Sequence, residues 1–262
     1  MLIYLTSNTY PADTADKIYT RELARAFNML LGKNFLLIIA NDFSEGLHDI
    51  QHLNLRLTIK RGRVLFYFLW LPWFVFSRGK ENLTFFSNDS FLLLVLFFWK
   101  KVCRFHYTIC SDWHLVFNDW RDAYIAQKSD YIATTSQKLK ELIVRISKTD
   151  TDKIVVAYGG IDLEKYKSFS KKEAREILHI PVDKKFVAYV GFFKTMGMEK
   201  GLQTMIRALS ALTEDVAMLF VGGTDAEIDE YKNSATSAGV LERCIFIGRK
   251  NDDEVALYEQ AA

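Results

Sequence analysis

The strongest constraint on this chain is the regular alternation of short apolar runs with stretches of helical spacing. Residues 2–6 form an apolar run. Residues 18–31 carry Ile18, Leu23, Ala26, Phe27 and Leu30 near helical spacing, and residues 35–40 are continuously apolar, as in a parallel strand covered on both faces. Residues 53–59 alternate and read as another strand. The series continues with a helix at 64–76, a strand at 83–86, a helix at 90–100 and strands at 105–110 and 131–134. Ser136 then caps a helix over 137–147, and a strand at 154–157 closes the series. A second series has strands at 186–190, 216–221 and 244–247, with helices at 200–212, 226–237 and from 252. Strands alternating with helices predict an α/β protein with parallel sheets, and right-handed crossovers make each half Rossmann-like. The predicted division is a first domain over residues 1–165, a lysine-rich linker with Pro181 over 166–183, and a second domain over 184–262.

Composition narrows the function classes. Half of the 262 residues are apolar and 14% aromatic, enough for packed cores. With 34 basic against 32 acidic residues, no basic field points to nucleic acid. Cys103, Cys110 and Cys244 are unclustered, which suits a reducing compartment and neither a disulfide framework nor a zinc site. No cluster of acidic residues is read as a metal site. The start, Met1-Leu2-Ile3-Tyr4-Leu5, has no basic segment of a secretory leader, so a cytoplasmic location is expected. The apolar runs at 64–76 and 91–99 are shorter than the ~20 residues a spanning helix needs. Two readings stay open for the first: a buried helix, or a helix lying on an anionic membrane surface. Lys60, Arg61 and Arg63 before it, and Trp70, Trp73, Phe74 and Phe76 within it, suit the second.

In parallel sheets ligands bind beyond the carboxyl ends of strands. The most informative such loop runs from Gly191 through Phe192, Phe193 and Lys194 to Gly197, Glu199, Lys200 and Gly201, where a helix opens. A lysine in a first helical turn opposes the helix dipole, and a bound phosphate would reverse that cost, with Lys194 and Lys200 as its partners. The competing reading is that Glu199 offsets the charge in an ordinary strand–helix connection. The loop is neither a Walker A sequence nor GxGxxG.

The stretch 189–209 resembles the donor-domain opening of the family-four glycosyltransferases of the GT-B fold. Further stretches match in order. Residues 4–27 resemble the family's first strand, loop and helix; residues 129–136 its strand-to-serine turn. Residues 154–166, with Gly159-Gly160-Ile161-Asp162, resemble the turn closing the acceptor domain. Residues 218–223 and 245–248 resemble the next two donor-domain strands. The resemblance implies two Rossmann-like domains, the first on the acceptor side and the second binding the nucleotide sugar. It implies Gly191, Lys194, Lys200 and Gly201 at the donor diphosphate, and Ser136 and Gly160 lining the cleft. The family's acceptor-domain His-Asp pair falls after the strand at 105–110, where Asp112 or His114 is the candidate for catalysis. Departures are equally specific: Phe192 and Phe193 stand where an arginine is usual, with Lys194 as its expected substitute, and Gly159 replaces an asparagine. The paired-glutamate segment expected after the strand at 244–247 is absent, so the second domain reads as incomplete.

The expected function is transfer of a sugar from a nucleotide-diphosphate donor, with retention, to a sugar or lipid-linked acceptor. No cofactor or metal is expected, the fragment alone is expected to be inactive, and peripheral contact through residues 60–76 would place it at the inner face of a membrane. The alternatives are a non-catalytic scaffold of the same fold and a sugar-nucleotide epimerase.

Overall fold

A computed structural model describes residues 1–10, 14–42, 47–57, 63–79, 81–160, 169–195 and 197–262. The chain divides into two compact units, Met1–Gly159 and Gly160–Ala262.

The first unit contains β1 (Leu2–Leu5), β2 (Thr9–Tyr10), α1 (Ala15–Leu31), β3 (Phe35–Ile39), β4 (Asn41–Asp42), β5 (His52–Asn54) and α2 (Arg63–Ser77). It continues with β6 (Leu83–Ser87), α3 (Ser90–Val102), β7 (Tyr107–Trp113), α4 (Trp120–Lys128), β8 (Tyr131–Thr134), α5 (Gln137–Ser147) and β9 (Ile154–Val156). Seven strands pair in parallel in the order β5-β3-β1-β6-β7-β8-β9. Side-chain alternation explains why β1 and β3 are apolar throughout. Tyr4, Phe35, Leu37 and Ile39 pack with Ala24 and Phe27 of α1 on one face, while Ile3, Leu5, Leu36 and Ile38 pack with α2 to α5 on the other.

Sequence and structure differ in three places here. The predicted strand at 53–59 is limited to His52–Asn54 among the described residues; Thr58 and Ile59 lie outside them. The strand expected to end at Cys110 continues to Trp113. Its added polar residues are tolerated inside because Ser111 accepts from Trp113 Nε1 and Ser129 Oγ, each at 2.8 Å. The third difference is α4, which sequence reasoning missed, although Asp119 and Asp122 form a capping box at its start.

In the second unit, α6 (Lys171–Ile177), β10 (Lys185–Val190), β11 (Lys194–Thr195), β12 (Met198–Glu199) and α7 (Leu202–Leu209) precede β13 (Val216–Val221), α8 (Asp225–Ser237), β14 (Cys244–Gly248) and α9 (Asp252–Ala261). The parallel sheet runs β10-β13-β14. One face packs on α7 and α8 through Leu202, Ile206 and Tyr231; the other packs on α6 and α9 through Ala174, Tyr258 and Ala261. Part of the expected linker over 166–183 is therefore structure of this unit. Ser170 and Glu173 make a capping box. Buried Arg175 donates to the carbonyls of Ala261, Val182 and Lys184 at 2.7–2.9 Å. Lys171 and Lys172, two of the lysines that suggested a linker, are on the solvated face of α6. The unit boundary falls at Gly159/Gly160 instead of residue 165, and the quoted positions Ile161 to Tyr166 lie outside the described residues.

Candidate functional site

The order of the first sheet reverses between β1 and β6: the chain moves from β1 to β3 and β5 on one side, then from β6 to β9 on the other. Crevices at such reversals, beyond the carboxyl ends of the strands, are where open α/β sheets hold ligands. A cavity of about 470 Å³ lies there, in the size range of small-ligand sites. Thr6 and Asn8 follow β1, Asn88 and Asp89 follow β6, and Asp112 and Trp113 end β7 with His114 next; all seven positions line it.

Asp112, only 5% exposed, accepts from His114 Nε2 at 3.1 Å. A carboxylate only accepts, so Nε2 is the donor in this contact. Tyr19 of α1 packs edge-on against His114, with centroids 4.3 Å apart. Its phenol is pushed well above the usual range, by burial first and by the charge of Asp112 next. Burial, then Asp112, pushes the neighbouring Cys110 thiol up to about 12, which disfavours its thiolate.

The walls are fixed by carboxylates that cap helices. Asp89 accepts from the amides of Phe91 and Leu92 at the start of α3, at 3.0 and 3.2 Å, and from Ser7 Oγ. Asp122 is buried and accepts from the amides of Phe117, Asn118 and Asp119, fixing the segment between β7 and α4. Sequence reasoning found Asp112 and His114 but missed Asp89 and Tyr19. Asp89 had a signal, an N-cap aspartate between a strand and an apolar helix; Tyr19 had none. Ser136 caps α5 by accepting from Leu139 N at 3.2 Å, and Gly160 is exposed at the unit boundary. Neither lines this cavity.

The second unit gathers the other candidates around the β11–β12 hairpin, where Lys194 pairs with Glu199 across the ladder. Gly201 opens α7 in a left-handed conformation, φ +84°. Glu199 already occupies that helix start, accepting from Gly201 N at 2.8 Å and Gln203 N at 3.1 Å. Burial raises its pKa, yet these amides and the Tyr231 hydroxyl together hold it below the ordinary carboxylate value. Lys194 Nζ is 2.6 Å from Glu230, while Lys200 is exposed. The position of the missing arginine has a physical explanation. Phe193 is fully buried, with Tyr231 and Phe220 edge-on to its ring. Phe192 instead carries the Arg249 guanidinium 5.1 Å over its ring, a cation that sequence reasoning missed because it comes from beyond β14.

The three strands of this sheet end on glycines. Gly191 N donates to Val221 O at 3.0 Å, and Gly222 N donates to Gly248 O at 2.8 Å. All three glycines have left-handed φ, +143°, +132° and +80°. At Gly222 the requirement is steric as well, because a Cβ would lie 2.0 Å from Gly191 O.

Two units of parallel β/α/β sheet, the first with its cavity at a strand-order reversal, define a GT-B-type fold. Solved structures share this fold. Anabaena Alr3699/HepE in complex with UDP superposes with a TM-score of 0.75 at 16% identity, covering 99% of this chain and 71% of that one. Sucrose-phosphate synthase from Thermosynechococcus elongatus gives 0.70 at 20% identity, covering 100% and 73%. Residues 170–262 match the family model for glycosyl transferases group 1. Curated relatives include an uncharacterized glycosyltransferase, MJ1607, of Methanocaldococcus jannaschii, 29% identical over 51% of this chain and 35% of its own length. A D-inositol 3-phosphate glycosyltransferase of Mycolicibacterium smegmatis is 24% identical over 52% and 31%. The chain thus spans about a third of the length of these relatives.

Proposed function

We propose that this chain serves the transfer of a glycosyl group from a nucleoside-diphosphate sugar to an acceptor hydroxyl bound in the cavity of the first unit. The observation that carries this is the Asp112–His114 pair at the end of β7, inside a cavity at the strand-order reversal. Asp112 orients the imidazole, and the ring's other nitrogen is free to hydrogen-bond the acceptor hydroxyl. The donor is assigned to the glycine-ended strands of the second unit, where backbone can approach a diphosphate closely. Lys200 and Arg249 are the cations for it, together with Lys194 if Glu230 yields. Retention follows from the resemblance of residues 189–209. That the neighbour Alr3699/HepE was solved with UDP and with UDP-glucose supports a nucleotide sugar as donor. No metal takes part in this reading, and among the described residues no cluster of three or more His, Cys, Asp or Glu is placed to hold one.

The test is a screen of nucleotide sugars for binding and for transfer of label, with EDTA present. Lys200→Ala is expected to weaken nucleotide binding about 3–10-fold, a loss of ~1 kcal/mol for one exposed charge. Binding unaffected by the substitution removes Lys200 from the site. A second reading, a module that keeps the fold without transfer, draws on Glu199 filling the start of α7. A folded chain that binds no nucleotide would favour it.

We also assign the outer face of α2 to a membrane surface. Tyr67, Leu71 and Phe74 are buried on its inner face, yet Leu65, Leu69, Trp73 and Phe76 are 62–67% exposed on the other. Arg63 begins the helix, and Lys60 and Arg61 lie outside the described residues. Vesicles rich in anionic lipid are expected to carry the chain upward in a flotation gradient at low salt, and Trp73→Glu to abolish this. A wild-type chain left at the bottom retires the assignment.

A further inference from the structure

We infer that the cavity of the first unit admits an uncharged sugar or polyol and turns away phosphorylated ones. This rests on the proposal that the cavity is the acceptor site, and it adds the class of acceptor. Four aspartates line the cavity, Asp16, Asp89, Asp112 and Asp122, and no lysine or arginine is among its described lining residues. Arg63 donates to the backbone carbonyl of Ser7 at 3.2 Å but does not line the cavity.

Backbone amides at the starts of α3 and α4 give no refuge to an anion either. Phosphates commonly bind at helix N-termini, where free N–H groups converge. At α3 those amides bond Asp89, at α4 Asp119 takes one, and in the segment leading into α4 three bond Asp122. At α1 the cap residue Thr14 makes no side-chain bond to the first amides, and what opposes an anion there is the charge of Asp16 in the same turn. A phosphate entering would face carboxylates where it needs donors, and Asp112 is buried enough that solvent screens its charge poorly. A sugar hydroxyl suits the same walls, because it donates to carboxylates and to the side-chain carbonyls of Asn8 and Asn88. Trp113 and Phe117 supply apolar surface for the ring. The chain thereby parts from relatives whose names specify an inositol phosphate.

The test uses ligand-observed NMR titration of the whole chain, without donor. The probes are glucose, mannose, N-acetylglucosamine and myo-inositol, each paired with its monophosphate. At least one neutral probe is expected to bind, and its monophosphate about tenfold more weakly or worse at low salt. Asp16→Lys, at an exposed position in the first turn of α1, is expected to narrow that ratio at least ~3-fold. The inference is overturned if a monophosphate binds as well as its neutral partner, if no probe binds at ~10 mM, or if Asp16→Lys leaves the ratio unmoved. Nucleotide binding and transfer are not measured here. A chain that selects neutral sugars yet never transfers therefore overturns only the proposed function.

Discussion

Gly222→Ala is expected to destabilise the second unit by about 3 kcal/mol, seen as a fall of ~12–24 °C in its melting temperature. Two effects combine. A side chain at φ +132° is strained whatever the space around it. Here the space is also filled, by the backbone oxygen of Gly191 at 2.0 Å from the new methyl. Backbone cannot swing aside as the tip of a flexible side chain can, so β10 and β13 would have to separate where they are held by the bond from Gly191 N to Val221 O. Gly239→Ala is the control. It also has a positive φ, +69°, in the ordinary left-handed region and with nothing within 4 Å, and is expected to cost only about 1 kcal/mol. Equal melting of the two variants would show that the close approach of Gly191 and Gly222 contributes nothing.

In a transfer-competent protein that contains this sequence, His114→Ala is expected to lower kcat/KM for glycosyl transfer about 100-fold, ~2.7 kcal/mol of transition-state stabilisation, while the melting temperature stays within a few degrees. The ring is only partly buried, and its contacts are Asp112 and the edge of Tyr19, so its loss leaves the core intact. Asp112→Asn separates orientation from charge. It keeps an oxygen that can accept from Nε2 but carries no charge, and is expected to fall between wild type and His114→Ala. A full rate in His114→Ala with unchanged folding would reduce the pair to a structural contact of β7.

Most of the fold was legible because its strands and helices carry unambiguous signals. Ser136 and the helix over 137–147 are observed as expected, since a serine cap followed by spaced apolar residues has one local solution. The continuous run at 35–40 becomes a strand buried along its whole length. The missed elements had surfaces that concealed them. α6 shows lysines outward and buries chiefly Ala174 and Arg175, and α4 buries only Asp122, Ile125 and Ala126. In both, the Ser170/Glu173 and Asp119/Asp122 caps were better indicators than periodicity. The polar end of β7 read as a loop because Ser111 and Asp112 carry no apolar signal; Ser111 is buried where Ser129 Oγ, eighteen positions on, donates to it.

The candidate site was legible one strand at a time and no further. Asp112 and His114 stand two positions apart and follow one strand, so the sequence pattern shows them together. Ser7 and Asp89 are 82 positions apart and meet because β1 and β6 are neighbours. In the second unit, Glu199 was recognised as a possible counter-charge for Lys200, but its occupation of the α7 start is a fact of hairpin geometry.

The cavity of the first unit has its whole described wall between Thr6 and Ile125, inside one compact body. What it recognises is thus written in a single uninterrupted stretch of gene. Recombination joining that stretch to a different second unit would carry the preference across intact, and drift on either side of the junction could proceed without retuning the other. A family assembled this way can diversify what it modifies and what it draws from as two separate inheritances.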